Sequence, residues 1–116
     1  MLIHPSAQIL DKDEVFINEG SIICANTVIT SAVKLGKHTH LNLNTTIGHD
    51  CNLGDYFTTA PGVNVSGNVR AGNNVYIGTN ASIRQGVDIT GSVTIGMGAV
   101  VLNDITEGGT YVGLVK

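Results

Sequence analysis

The sequence predicts an all-β fold in which short parallel strands wind into a three-faced prism. One observation is a six-residue repeat: from Ile17 to Val101, thirteen of the fifteen positions six apart are Ile, Leu or Val. Another is that Gly or Asn recurs at the second and fourth positions of these hexads, which are therefore predicted to mark bends. One apolar residue per six fits neither an amphipathic helix nor a long alternating strand. The repeat instead favours short strands joined by tight corners.

The register of the prism follows if three hexads make one coil. A coil then holds 18 residues, and residues 18 apart stack at a strand spacing of about 4.8 Å. The fifth position is small or β-branched almost throughout and is predicted to face inward together with the first. The predicted inward ladders are Ile17, Leu35, Leu53, Ala71, Ile89 and Ile29, Ile47, Val65, Ile83, Val101. A polar ladder whose stacked amides would bond one another is predicted along one corner at Asn26, Asn44, Gly62, Asn80 and Gly98.

The chain is predicted to be one domain with three parts. Residues 1–16 form an N-terminal cap and the first strands; Pro5 suits an edge, and the charged segment 10–14 adds two residues before the regular frame. Residues 17–106 form about five 18-residue coils in an unbroken frame, stacked to roughly 24 Å. Residues 107–116 do not follow the six-residue repeat and are predicted to cap the other open edge.

Composition limits the kinds of partner. The 116 residues are 42% hydrophobic and 13% charged, which suffices for a single core. A formal net charge of −3, with only six Lys and Arg scattered along the chain, argues against a nucleic-acid or membrane-surface partner. There is no apolar run of 18 residues and no signal-peptide pattern, so a cytoplasmic location is expected. Cys24 and Cys51 lie one and a half coils apart and are predicted to be reduced.

His49 carries the chemical signal. It occupies the third position of a hexad, in the corner Gly48-His49-Asp50, and is predicted to point away from the core. Histidine is the side chain best suited to taking a proton near neutral pH, and Asp50 can accept from one ring nitrogen, which fixes the tautomer and raises basicity. Gly67 lies one coil further on and offers a bare N–H to a carbonyl oxygen. On these residues alone, a surface His-Asp pair without function remains the alternative.

The cluster of His38, His40 and His49 raises the alternative of a metal site. His38 and His40 are predicted to project in different directions near a corner, and no histidine follows residue 49 to supply further ligands. A zinc site normally needs three or four converging ligands. No metal is therefore predicted, and His38 and His40 are expected to face solvent or an interface.

The six-residue repeat covers about 90 of 116 residues. In this the chain resembles the hexapeptide-repeat acyltransferases, whose fold is a single-stranded, left-handed parallel β-helix. The left hand is implied by the resemblance alone. Narrower motifs look like the sialic acid O-acetyltransferase family, which includes N-acetyltransferases of nucleotide-linked amino sugars. These motifs are Ile3-His4-Pro5-Ser6-Ala7, Asn42, Gly48-His49-Asp50-Cys51-Asn52-Leu53-Gly54-Asp55-Tyr56, Pro61-Gly62, Ser66-Gly67-Asn68-Val69 and Ile95-Gly96-Met97-Gly98-Ala99-Val100-Val101.

The resemblance implies transfer of an acetyl group from acetyl-CoA, as co-substrate, to a hydroxyl or amine of a small sugar-like acceptor. His49 would be the general base, Asp50 its partner, and the Gly67 amide a donor to the thioester carbonyl. Asn42 matches a residue near the acceptor, and Thr58 stands where some relatives place a second histidine. In such enzymes acetyl-CoA lies between two subunits of a trimer. The further implied CoA contacts are Gly78, Thr79, Gly96 and Met97, with Arg84 for a CoA phosphate.

Apolar residues at outward sixth positions, Ile22, Val28 and Val100, predict a homotrimer that would cover them. Relatives commonly carry an N-terminal sugar-binding βαβ domain, and residue 1 stands two residues before the β-helix opening, so a chain lacking that domain is expected. The alternatives to an acetyltransferase are a non-catalytic trimeric scaffold and a β-helical zinc hydratase, the latter disfavoured by the missing downstream histidines.

Overall fold

The computed structural model describes residues 1–116 as a parallel β-helix of nineteen short strands. The strands form three parallel sheets of seven, seven and five strands, called here faces A, B and C. Three strands make one turn, so the chain completes about six turns of the left-handed β-helix that the resemblance implied. The one helix is the short 3-10 segment Lys12–Glu14, and no helix is long enough to cross a membrane.

Each face takes every third strand along the chain. Face A contains β1 (Leu2–Ile3), β4 (Ile22–Ile23), β7 (His40–Leu41), β10 (Thr58–Thr59), β13 (Val75–Ile77), β16 (Val93–Ile95) and β18 (Gly109–Tyr111). Face B contains β2 (Gln8–Ile9), β5 (Val28–Ile29), β8 (Thr46–Ile47), β11 (Asn64–Val65), β14 (Ser82–Ile83), β17 (Val100–Val101) and β19 (Leu114–Val115). Face C contains β3 (Val15–Ile17), β6 (Val33–Leu35), β9 (Asn52–Leu53), β12 (Arg70–Ala71) and β15 (Asp88–Ile89).

The register in the central turns is the predicted one. Leu35 pairs with Leu53 on face C and Ile47 pairs with Val65 on face B, each 18 residues apart. First and fifth positions fill the interior, where 23 buried apolar residues form one cluster. The largest buried side chain is Phe57, which departs from the small or β-branched residues otherwise found at the fifth position. The buried polar residues are Ser21, Thr27, Thr39, Thr45 and Thr59.

The two glycine-rich positions of the hexad have different physical reasons, which corrects the prediction that both mark bends. Every fourth position from Gly20 to Gly98 has a positive φ, including residues such as Asp50. Second-position glycines do not, but a Cβ on Gly48 would lie 2.5 Å from the Gly67 nitrogen. The fourth position therefore turns the chain, whereas the second must be small because the backbone of the next turn packs against it.

The predicted polar ladder runs up one corner as expected, but backbone groups make its bonds. The Asn44 N–H donates to the Ala25 carbonyl at 3.1 Å, and the Asn80 N–H donates to the Pro61 carbonyl at 3.0 Å. Since the left-handed conformation aims the N–H along the stack, fourth-position residues from His38 to Gly98 donate to a carbonyl of the turn before. Stacked side-chain amides are not what holds this corner.

The turns change length at both ends of the prism. Gln8 pairs with Val28, two residues more than a full turn, as the extra N-terminal residues predict. At the other end the frame expected to run to Thr106 slips after Val101, because Ile105 rather than residue 107 pairs with Ile89. Residues 109–115 then add strands to faces A and B. The Cα atoms of the whole chain span 35 Å along the longest axis, since the end strands add to the roughly 24 Å expected for residues 17–106.

Candidate active site

The corner between faces B and C, called here corner BC, holds His49 and Asp50. The two residues connect β8 to β9, and their side chains are 56% and 58% exposed. Asp50 takes the left-handed conformation, with φ of 60°, and His49 Nδ1 lies 2.9 Å from Asp50 Oδ2. The pair is tied to its neighbouring turns, because the Asp50 N–H donates to the Ser31 carbonyl and the His49 carbonyl accepts from the Asn68 N–H. The corner thus orients the imidazole through one ring nitrogen and leaves the other free.

The free nitrogen, His49 Nε2, faces Gly67 on the next turn. A Cβ built on Gly67 would lie 2.7 Å from Nε2, so only glycine leaves room there for the ring and for a reacting group. Gly67 is itself buried, and its N–H donates to no acceptor in the chain. A proton acceptor and an unpaired N–H donor therefore share one small space, which is the arrangement that acyl transfer requires.

Cys51 follows this corner directly but points into the prism. Its side chain is buried, and its Sγ lies 3.2 Å from the Ser66 carbonyl oxygen. Burial raises the pKa of the Cys51 thiol; the charge of Asp50 adds to the rise, while a backbone hydrogen bond at Val69 opposes it. The thiol is therefore protonated near neutral pH and does not face the space above Gly67.

Asn42 and Thr58 lie elsewhere on the prism. Asn42 stands on the corner between faces A and B, called here corner AB, and its carbonyl accepts from the buried hydroxyls of Thr27 and Thr45. Its Oδ1 accepts from the Leu43 N–H at 2.8 Å. Thr58 lies on face A, half-buried and in register with His40. These two candidate acceptor residues are separated from His49 of the same chain by the whole width of face B.

The candidate CoA contacts divide between the same two corners. Gly78, Thr79, Gly96 and Met97 occupy two successive turns of corner AB, where Met97 is 80% exposed. A Cβ on Gly78 would lie 2.5 Å from the Met97 nitrogen, so this glycine allows the turns to stack. Arg84 is exposed on corner BC, one turn beyond Gly67. One chain therefore brings together His49, Asp50, Gly67 and Arg84, but not the residues of corner AB.

The three clustered histidines do not converge. His38 is exposed at a different corner and stacks on Tyr56, with ring centroids 5.3 Å apart. His40 lies on face A, with Nε2 3.6 Å from Cys24 Sγ. No group of three or more His, Cys, Asp or Glu side chains is placed to hold a metal ion. The zinc hydratase alternative thus has no ligand cluster to support it.

One feature near the site was missed from the sequence. An open groove of about 740 Å³ runs along face C from Asp50. Outward residues of successive turns line it: Phe16, Lys34, Asn52, Arg70 and Asp88. The available signal was that Lys, Arg and Asp occupy the sixth hexad position on this face alone, at Lys34, Arg70 and Asp88, which is visible once the strands are sorted by face.

Known proteins resemble this chain in both sequence and structure, although no protein-family model matches it. GDP-perosamine N-acetyltransferase of Escherichia coli O157:H7 is 38% identical over 84 residues, covering 72% of this chain and 37% of that protein. The acetyltransferase domain of PglB from Neisseria gonorrhoeae FA1090 is 37% identical with a TM-score of 0.92, covering 97% of this chain and 54% of that one. PerB from Caulobacter crescentus, solved in complex with CoA and GDP-perosamine, is 29% identical with a TM-score of 0.91, covering 96% and 53%.

The three-faced fold and these similarities fit a hexapeptide-repeat acyltransferase domain. Within that class, the chain is similar to the acetyltransferase domains of sugar N-acetyltransferases, as the sequence motifs implied. It spans about half the length of the solved relatives, and 37% of the curated one. The similarity identifies the domain, while donor, acceptor and assembly have to be inferred from the chemistry of the site.

Proposed function

We propose that this chain is an acetyl-CoA-dependent acetyltransferase that transfers the acetyl group directly to an amine or hydroxyl of a sugar-like acceptor. His49 is the general base and Asp50 its orienting partner. The observation that carries the proposal is that the free Nε2 of His49 lies against Gly67, whose N–H is unpaired, across one turn of corner BC. An amine is favoured over a hydroxyl as the nucleophile, because the curated relative is named as an N-acetyltransferase of GDP-perosamine.

Each group at corner BC has a role in direct transfer. The acceptor's lone pair attacks the thioester carbon while its proton passes to His49 Nε2. Asp50 accepts from Nδ1–H, which holds the tautomer that leaves Nε2 free. The carbonyl oxygen gains negative charge, which the Gly67 N–H stabilises. The C–S bond then breaks, and His49 returns the proton to the departing CoA thiolate.

A covalent acetyl-enzyme is not needed in this scheme. Cys51 points into the prism and is protonated at neutral pH, because burial raises the pKa of its thiol. Cys24 lies on corner AB, away from His49 of the same chain. The acetyl group therefore passes from sulfur to the acceptor nitrogen or oxygen in one displacement through a tetrahedral intermediate.

Acetyl-CoA is proposed as the donor on two grounds. The PglB domain, 36% identical over 96% of this chain, has been solved in complex with acetyl coenzyme A. Arg84 also stands exposed on the same corner as Gly67, one turn further on, where a cation can pair with a CoA phosphate. PerB, solved with GDP-perosamine, supports an acceptor that is a nucleotide-linked sugar.

A homotrimer is proposed because the candidate residues divide between two corners. If corner AB of one copy lay against corner BC of the next, His49 would face the corner AB residues of the neighbouring copy, with Thr58 beside them on the adjoining face A. The corner AB residues are Asn42, Gly78, Thr79, Gly96 and Met97. Exposed apolar residues also favour association, since Ile22 and Val100 are 39% and 41% exposed on faces A and B. A cytoplasmic location is proposed because both cysteines are free, as in a reducing compartment.

The test combines acetyl-CoA binding with turnover. Calorimetry measures acetyl-CoA binding, and a thiol-release assay screens amino and hydroxy sugars, free and nucleotide-linked. We expect His49→Ala to lower kcat by on the order of 10² or more with acetyl-CoA binding kept, and Asp50→Asn to lower kcat less. His38→Ala, which removes an exposed histidine from another corner, is the matched control. Absence of acetyl-CoA binding would favour the scaffold alternative, and His49→Ala at the wild-type rate would refute the base assignment.

A further inference from the structure

We propose that Cys51 is a positioning residue: from inside the prism, its S–H holds the carbonyl of the Ser66–Gly67 peptide, whose N–H faces the reacting thioester. The inference rests on the proposed function for its kinetic consequence. Its geometric part stands independently, because the Sγ lies 3.2 Å from the Ser66 oxygen. That oxygen has no other donor within the chain.

The contact recurs in the fold, which distinguishes it from an accidental approach. At other turns, a hydroxyl at the fifth hexad position donates to the second-position carbonyl of the following turn, 15 residues ahead. Ser21 reaches the Gly36 carbonyl at 3.4 Å, and Thr27 reaches the Asn42 carbonyl at 3.1 Å. Cys51 and Ser66 stand in the same relation. A fifth-position donor is thus a regular way for this fold to bond a corner carbonyl from within.

The sequence of the column gives a second reason. Residues stacked above and below Cys51 at the fifth position are β-branched aliphatics that carry no polar hydrogen: Val15, Val33, Val69 and Val87. Cys51 is the single member able to donate, and it lies on the turn that carries His49. Packing alone does not require a thiol there, since valine fills the same place on both neighbouring turns.

The bond acts on the oxyanion donor through one peptide group. A donor on the Ser66 carbonyl fixes the plane of that peptide and withdraws charge from it, which makes the Gly67 N–H a better donor in turn. Burial raises the pKa of the Cys51 thiol, so the sulfur keeps the hydrogen that the bond needs. Cys51 therefore touches neither substrate and acts only through the Gly67 amide.

Cys51→Val and Cys51→Thr form a matched pair for testing the idea. The two replacements have the same shape, both fit a column of β-branched residues, and only threonine can donate. We expect Cys51→Val to lower kcat roughly threefold to tenfold, the worth of one net hydrogen bond, with the KM for acetyl-CoA and the melting temperature kept. Cys51→Thr should restore most of the rate. Val87→Ala, in the same column two turns away, should lower the melting temperature and leave kcat unchanged.

Amide NMR gives a readout that requires no turnover. The ¹H–¹⁵N signal of Gly67 should move in Cys51→Val and return towards its wild-type position in Cys51→Thr. Equal rates, or equal losses, in the two variants overturn the proposal, as does an unmoved Gly67 signal in Cys51→Val. If wild-type protein transfers no acetyl group to any acceptor, the proposed function fails by itself, and the Gly67 signal still decides whether Cys51 sets the peptide.

Discussion

Replacing Gly67 with alanine tests whether the space between base and amide is what makes corner BC a site. The new Cβ would lie 2.7 Å from His49 Nε2 and 2.9 Å from Cε1. Non-bonded heavy atoms settle at about 3.5–4.0 Å, so the ring has to withdraw by roughly 1 Å. The Gly67 N–H stays in place, because the residue is outside the left-handed region and alanine adopts the same backbone. The substitution therefore displaces the base and keeps the oxyanion donor.

The expected effects on rate and stability differ widely. A misplacement of about 1 Å in a reacting group costs on the order of 10² in rate, and the 2.9 Å bond from Nδ1 to Asp50 has to stretch or break as the ring moves. Stability should change by no more than about 0.5 kcal/mol, because the His49 side chain is 56% exposed and swings into solvent. Loss of conformational freedom in the unfolded chain partly offsets even that cost.

The assay is thiol release at saturating acetyl-CoA and acceptor, with thermal unfolding measured on the same samples. Gly91→Ala is the matched control, since Gly91 occupies the same hexad position at another corner and its new Cβ would meet backbone atoms of Asn73, the nearest being the carbonyl oxygen at 3.0 Å. We expect the control to lose some stability and keep its kcat. Gly67→Ala at the wild-type rate would refute the assignment of this space to the chemistry, and a loss matched by unfolding would assign it to packing.

Three further predictions address the core, the assembly and the thiols. Ile47→Ala or Ile83→Ala should lower the free energy of unfolding by about 2–5 kcal/mol in denaturant titrations, because both side chains are wholly buried. Arg70→Ala, on the exposed row of face C, should lower it little. Equal losses of stability in all three variants would mean that inward and outward positions are misassigned. Light scattering at micromolar concentration should give a trimer, and a monomer would contradict the shared site. Native protein should react with iodoacetamide at half-buried Cys24 alone. Cys51 should stay unreactive as the pH rises through the ordinary thiol range, because the raised pKa of its thiol delays formation of the thiolate. The stability that the raised pKa contributes is complete below the pKa of the thiol in the unfolded chain, and it is lost as the pH rises towards the pKa in the folded chain. Rapid alkylation of both thiols at neutral pH would show that Cys51 is accessible.

The inward ladders could be read from the sequence because the period is regular. A period of six with two inward positions fixes which residues stack, and the pairing of Leu35 with Leu53 follows from counting. The same regularity failed after Val101, where a shortened turn brings Ile105 under Ile89. A hydrophobic residue at the fifth position and one at the first look alike in the sequence, so the slip left no signal.

The chemistry of corner BC was predictable as far as it is local or one turn long. The bond between His49 and Asp50 joins neighbours in the chain, and Gly67 stands 18 residues on. The role of Gly48 was not predictable from conformation, because its reason is the approach of the Gly67 backbone. The division of the other candidates follows from the same 18-residue count, because hexads three apart share a corner, but the count does not say how copies of the chain would bring two corners together.

The position of corner BC within the stack has a consequence for local opening. Each turn bonds only to the turns directly before and after it, so the structure unzips from its ends, like other one-dimensional arrays. The end strands β1, β2, β3, β18 and β19 each pair with a neighbour on one side only and should exchange their amide hydrogens soonest. His49 and Gly67 border strands that have partners on both sides. The ends of the prism, and any docking surface on them, can therefore open locally. The arrangement of the His49 imidazole and the Gly67 amide is kept until the chain unfolds as a whole.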